Sequence, residues 1–158
     1  VTAADVTIED CEIETATSSF QATLALLTTP AADRFILRNN FIHGSLNAGT
    51  TTQISLVGGD GIQILGNTII GACTTSAGNI ANATTDSTNL VIDGNRILNS
   101  TASSTKVIVL TSGSTGFITN NRLCILSGTA PVTAAAMNVG GNVYSAAAGI
   151  TAGTASTI

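Results

Sequence analysis

Asp33 and Asp60 are the residues of this 158-residue chain whose spacing best fits chemistry. Each stands seven residues before an asparagine, Asn40 or Asn67, of a recurring motif. If equivalent positions stack at the spacing of β-strands, the two carboxylates come about 5 Å apart. That separation suits the acid and nucleophile of a retaining glycosidase. The same pair, with Asp86 nearby, could offer oxygens to Ca²⁺, which needs several more. The competing reading is turn chemistry, because Asp is favoured in turns for the hydrogen bonds of its own side chain. With no Trp and one Tyr, little is available to stack on a sugar ring. Turn chemistry is therefore the favoured reading, and no residue is assigned as catalytic.

The other reactive side chains are sparse. His43 is the only histidine. It precedes Gly44 at a strand end, and the several Asp and the base that polysaccharide hydrolysis would add are missing. Cys11, Cys73 and Cys124 show no Cys-x-x-Cys spacing and read as small buried residues rather than a disulfide framework or a zinc site. Glu9 and Arg38 occupy equivalent motif positions and read as a surface ion pair. Arg96 and Arg122 also fall at equivalent positions, so two like charges stack and call for an acid such as Asp93 or a group on a neighbouring chain. Asn82-Ala83-Thr84 and Asn99-Ser100-Thr101 match the glycosylation sequon, as expected by chance in a chain this rich in Thr and Asn. Thr50-Thr51-Thr52 is too isolated to form the regular Thr ladder of an ice-binding face. No cofactor and no metal follow from these residues.

The elements that position these residues emerge from an internal repeat. Six segments share the pattern apolar, any, apolar, any, small or polar, Asn, any, apolar: Val6–Ile13, Phe35–Ile42, Ile62–Ile69, Leu90–Ile97, Gly116–Leu123 and Met137–Tyr144. The key position holds Cys11, Asn40, Asn67, Asn95, Asn121 and Asn142, at spacings of 29, 27, 28, 26 and 21 residues. Alternation at period two predicts strands with this apolar set on one face. The residue before the key position is Asp10, Asn39, Gly66, Gly94, Asn120 or Gly141. Gly and Asn tolerate left-handed backbone, so each unit reads as strand, sharp bend, strand. A further apolar stretch precedes most units: Leu24–Leu27, Ile54–Val57, Ile80–Ala83, Val107–Leu110 and, more weakly, Val132–Ala135. One repeat thus holds three short strands and three bends.

Ile64-Leu65-Gly66-Asn67-Thr68-Ile69 and Ile92-Asp93-Gly94-Asn95-Arg96-Ile97 resemble the repeats of right-handed parallel β-helix proteins, the pectate-lyase-like superfamily, which also supplies phage tailspikes and virion proteins. The resemblance runs from about residue 5 to about residue 151. It implies an all-β fold, a right-handed single-stranded parallel β-helix of about six coils of 21–29 residues. Residues 1–151 would form the β-helix domain and 152–158 a C-terminal tail. The resemblance also implies a structural Asn ladder at Asn40, Asn67, Asn95, Asn121 and Asn142.

Composition excludes several functions. Only 9% of residues are charged and the net charge is −4, which leaves little to bind nucleic-acid phosphates. No apolar run approaches the roughly 18 residues of a membrane-spanning helix. Thr, Ser and Asn supply 53 residues and Gly 16, the material of strands and bends. Yet Ile36, Phe41, Leu65, Ile70, Val91, Leu98 and Phe117 fall on the outward side of the alternation. Apolar patches of that kind mark interfaces.

The expectation is therefore a non-enzymatic structural protein, a virion component such as a capsid decoration protein or a tail spike or fibre segment. The resemblance implies a homotrimer in contact with other virion proteins. The alternatives are a polysaccharide-binding or polysaccharide-cleaving β-helix domain, or a fragment of a bacterial adhesin, extracellular or on the cell surface.

Overall fold

A computed structural model describes residues 1–14, 16–17, 20–21, 26–44, 52–73, 78–82, 84–101, 105–127 and 130–146. The expected tail at 152–158 lies outside the described residues, as does Leu24. Among the described residues there is no helix. The chain winds into a parallel β-solenoid of three sheets.

Sheet 1 contains Thr7–Glu9, Ile36–Arg38, Gln63–Leu65, Leu90–Asp93, Gly116–Thr119 and Met137–Gly140 in that spatial order. Sheet 2 contains Glu12–Glu14, Phe41–His43, Thr68–Gly71, Arg96–Asn99, Arg122–Ile125 and Val143–Ala146. Sheet 3 contains Leu26–Leu27, Ile54–Leu56, Ile80–Asn82, Ile108–Val109 and Val132–Thr133. A small antiparallel pair, Ala16–Thr17 with Phe20–Gln21, stands apart from the three stacks.

The register follows the columns of the repeat. Ile8 pairs with Leu37, Leu37 with Ile64, Ile64 with Ile92, Ile92 with Ile118 and Ile118 with Val139. On sheet 2, Ile13, Ile42, Ile69, Ile97, Leu123 and Tyr144 stack in the same way. Sheet 3 adds Leu26, Ile54, Ile80, Ile108 and Val132. Branched side chains repeat at the strand spacing and pile into one continuous core, whose middle layers are fully buried. The end layers close less well: Ile8 and Ile13 at one end, and Val139 and Tyr144 at the other, remain half-buried.

The bend between sheets 1 and 2 is left-handed in every repeat. Asp10, Asn39, Gly66, Gly94, Asn120 and Gly141 have φ of 53°, 54°, 61°, 66°, 54° and 64°. This one residue turns the chain from the first sheet into the second, and in the five later repeats the next residue carries an asparagine side chain inward. Cys11 of the first repeat, expected to be buried, is instead exposed at the open end of the stack, and Cys124 is only half-buried.

Candidate functional site

The asparagine side chains at the bend form a continuous hydrogen-bonded file. Asn40 Nδ2 donates to Asn67 Oδ1 at 3.0 Å, Asn67 to Asn95 at 3.0 Å, Asn95 to Asn121 at 2.9 Å and Asn121 to Asn142 at 2.9 Å. Each Oδ1 also accepts the backbone N–H of the preceding ladder residue. The second hydrogen of each Nδ2 reaches a backbone carbonyl in the strands of sheet 1, Leu37 for Asn67, Ile64 for Asn95 and Ile92 for Asn121. All five are buried. Cys11 holds the key position of the first repeat, and its backbone N–H donates to Asn40 Oδ1 at 3.0 Å. The ladder is thus an interior device: it satisfies bend amides that no sheet can reach.

Two further buried polar groups occupy the other corners, and the repeat pattern gave no sign of them. Asn82 accepts from the Thr111 N–H and donates to Ser114 Oγ, and Ser87 donates to the Gly58 carbonyl. At the remaining corner, Asn99 Oδ1 accepts from the Cys73 and Thr101 amides, while Asn79 donates to the Leu98 carbonyl. These residues recur at irregular offsets from the key asparagine, so no column exposes them. Asn82 and Asn99 open the two sequons, and their burial at 3% and 0% exposure leaves neither open to a glycosylating enzyme.

Asp33 and Asp60 lie on adjacent repeats, and both act in turns. Asp33 Oδ1 accepts the Asp60 backbone N–H at 2.8 Å. Asp60 Oδ1 accepts from Thr88 Oγ1 at 2.6 Å and Asn89 Nδ2 at 2.8 Å. Those donors, with a smaller contribution from Arg34, hold the Asp60 carboxyl below the ordinary carboxylate range. Donors of this kind favour the ionised form, whereas a general acid must hold a proton. Asp86 accepts from Thr111 Oγ1. Among the described residues, no three His, Cys, Asp or Glu side chains are placed to hold a metal.

His43, Cys73, Arg38 and Arg34 are also engaged or buried. His43 Nε2 lies 2.9 Å from Glu12 Oε1, and its ring stacks on Phe41 with centroids 4.7 Å apart. Burial pushes the Cys73 thiol up to about 12, far from the thiolate a nucleophile needs. Arg38 pairs with Glu9. Arg34 pairs with Asp5 at 2.6 Å and holds its carboxyl below the ordinary range. The Asp5–Arg34 pair was legible in principle, since both stand six residues before their key residue. Asp93 does not answer the stacked arginines: its Oδ1 accepts from Thr119 Oγ1 and Asn120 Nδ2.

The outward columns carry the apolar surface. Thr7, Ile36, Gln63, Val91, Phe117 and Asn138 stack in register on sheet 1. Glu12, Phe41, Thr68, Arg96, Arg122 and Val143 stack on sheet 2. Phe117 is 52% exposed, Val143 50%, Leu27 45% and Phe41 41%. Ile36, Leu65, Ile70, Val91 and Leu98 are half-buried. Stacking at the strand spacing makes each column shield its own members, so a branched side chain between two neighbours keeps only its tip in water.

Comparison with protein-family models, with curated proteins and with solved structures gave no significant match.

Proposed function

We propose that this protein is a non-enzymatic structural β-solenoid that acts by assembly, side by side with copies of itself and with other proteins of a virion. The observation that carries the reading is a set of large apolar side chains left exposed on the outward sides of all three sheets. Phe41, Phe117, Val143 and Leu27 stand exposed on a chain with only 9% charged residues. Large aromatic groups on the rigid face of a sheet make contact area at small entropic cost, and interfaces favour them. The solenoid supplies a stiff scaffold for that surface, because every repeat locks the next through sheets and ladder.

The chemistry of the reactive residues supports the same reading. Asp33 and Asp60 are committed to turn hydrogen bonds, and the Cys73 thiol is buried. The placement in a virion, and the trimeric form, rest on the resemblance of the repeats to virion β-helices. That is fold-level analogy.

The test is the double variant Phe41→Ser, Phe117→Ser. Both side chains are well exposed, so the variant keeps the β-rich circular dichroism of the parent, while its thermal midpoint falls only by what the lost assembly contributed. Sedimentation should show it dissociating at concentrations where the parent is assembled. An unchanged association state in both proteins would refute a role for these side chains in assembly.

A further inference from the structure

The chain has five Lys and Arg residues, and three of them are satisfied within the fold. Arg34 pairs with Asp5, Arg38 pairs with Glu9, and Lys106 Nζ donates to the Ala130 carbonyl at 2.9 Å. The other two, Arg96 and Arg122, are exposed, and their side chains make no ion pair or hydrogen bond among the described residues. They are also the two that face each other in register on adjacent strands of sheet 2. Like charges directly opposite destabilise a sheet. Elsewhere this fold answers its charges across the same kind of step, as Glu9 answers Arg38. At Arg96 and Arg122 the nearby acid, Asp93, is turned to Thr119 and Asn120 instead.

We propose that Arg96 and Arg122 bind a tetrahedral oxyanion, a phosphate or sulfate group, with the Thr68 hydroxyl as an additional donor. Thr68, Arg96 and Arg122 follow one another in a single outward column of sheet 2. Two guanidinium groups about 4.8 Å apart at their strands can each donate to different oxygens of one dianion. A lone carboxylate matches only one of the two charges. Arginine suits this use because its donors are planar, fixed and always charged. The surrounding chain is acidic overall, at net −4, so binding is local and lacks the extended cationic track that nucleic acid requires.

The test compares thermal unfolding of the parent and of the double variant Arg96→Gln, Arg122→Gln in chloride, sulfate and phosphate at equal ionic strength. Sulfate and phosphate stabilise folded proteins generally by exclusion from their surface, so the difference between the two proteins is the reading. The parent midpoint should rise several degrees further than that of the variant. In chloride the variant should melt at or above the parent, because the repulsion is gone. Retention on dextran sulfate but not on dextran, lost in the variant, would identify a sulfated polymer as the source of the group. Response to the free ions with no retention would identify the small ion. Equal shifts in both proteins would overturn the proposal. So would a lower assembly mass for the variant in chloride, which would make the arginines a protein–protein contact instead.

Discussion

Asn95 joins its side chain to five partner atoms, donating to Asn121 Oδ1, the Ile64 carbonyl and the Asp93 carbonyl and accepting from Asn67 N and Nδ2. Only a primary amide offers donors and an acceptor in that arrangement. Asn95→Ala leaves several of those groups buried without partners, each worth roughly 1–3 kcal/mol. The expected loss is about 3 kcal/mol in urea unfolding, and Asn95→Asp should be no better, because it places acceptors against acceptors. The position of this side chain was legible because its neighbours repeat. Its inward direction required the left-handed residue before it. Asp60 shows the opposite case: its spacing from Asp33 invited a catalytic reading, while its donors, Thr88 and Asn89, sit on the next repeat, where sequence distance hides them. Its folded pKa lies below the ordinary value of 3.8. The stability it contributes is therefore present above that value and lost as pH falls through the lowered one. As pH falls from neutral to well below 3.8, Asp60→Asn should lose less stability than the parent does. Equal losses in both would show that the Thr88 and Asn89 bonds do not favour the ionised form.

At the scale of the strand and bend, period-two alternation predicted sheets 1 and 2 and their register, since each apolar column has one member per repeat. Gly116 was the single break in the column of Val6, Phe35, Ile62, Leu90 and Met137. The structure explains the break. Gly116 has φ of 133°, and a Cβ built there would lie 2.0 Å from the Leu90 carbonyl oxygen. An apolar residue cannot fill the gap, because the backbone of the previous repeat already does. Gly116→Ala should cost at least about 3 kcal/mol in denaturant unfolding, from strained φ and backbone clash together. A neutral effect would mean the strand can shift to make room. A second left-handed series precedes sheet 1, at Asp5, Arg34, Gly61 and Asn89, with φ of 59°, 53°, 69° and 50°. Its residue types are so mixed that no column announced it. Sheet 3 was the hardest to read, since its strands are short and its distance from the key asparagine varies with the links.

For the whole molecule, the low charge and abundant Thr, Ser, Asn and Gly follow from an architecture that spends its residues on strands and bends. The middle of the solenoid closes on itself, with Leu37, Ile64, Ile92 and Ile118 wholly buried, while the apolar outer columns do not. Seven outward residues were read from alternation alone. Two of them, Phe41 and Phe117, are well exposed, and the other five are half-covered by their own columns. Val143, which alternation also places outward, and Leu27 on sheet 3 are exposed as well, and Leu27 was missed because it lies at the end of its stack, where the pattern weakens. The most direct test of assembly through these faces is the solution mass by light scattering after size exclusion. The expected result is a mass of at least twice the 15.7 kDa chain, with a trimer as the form the repeats resemble. A stable monomer across micromolar concentrations would contradict the account, leaving the exposed Phe41 and Phe117 without the partner that assembly assigns them.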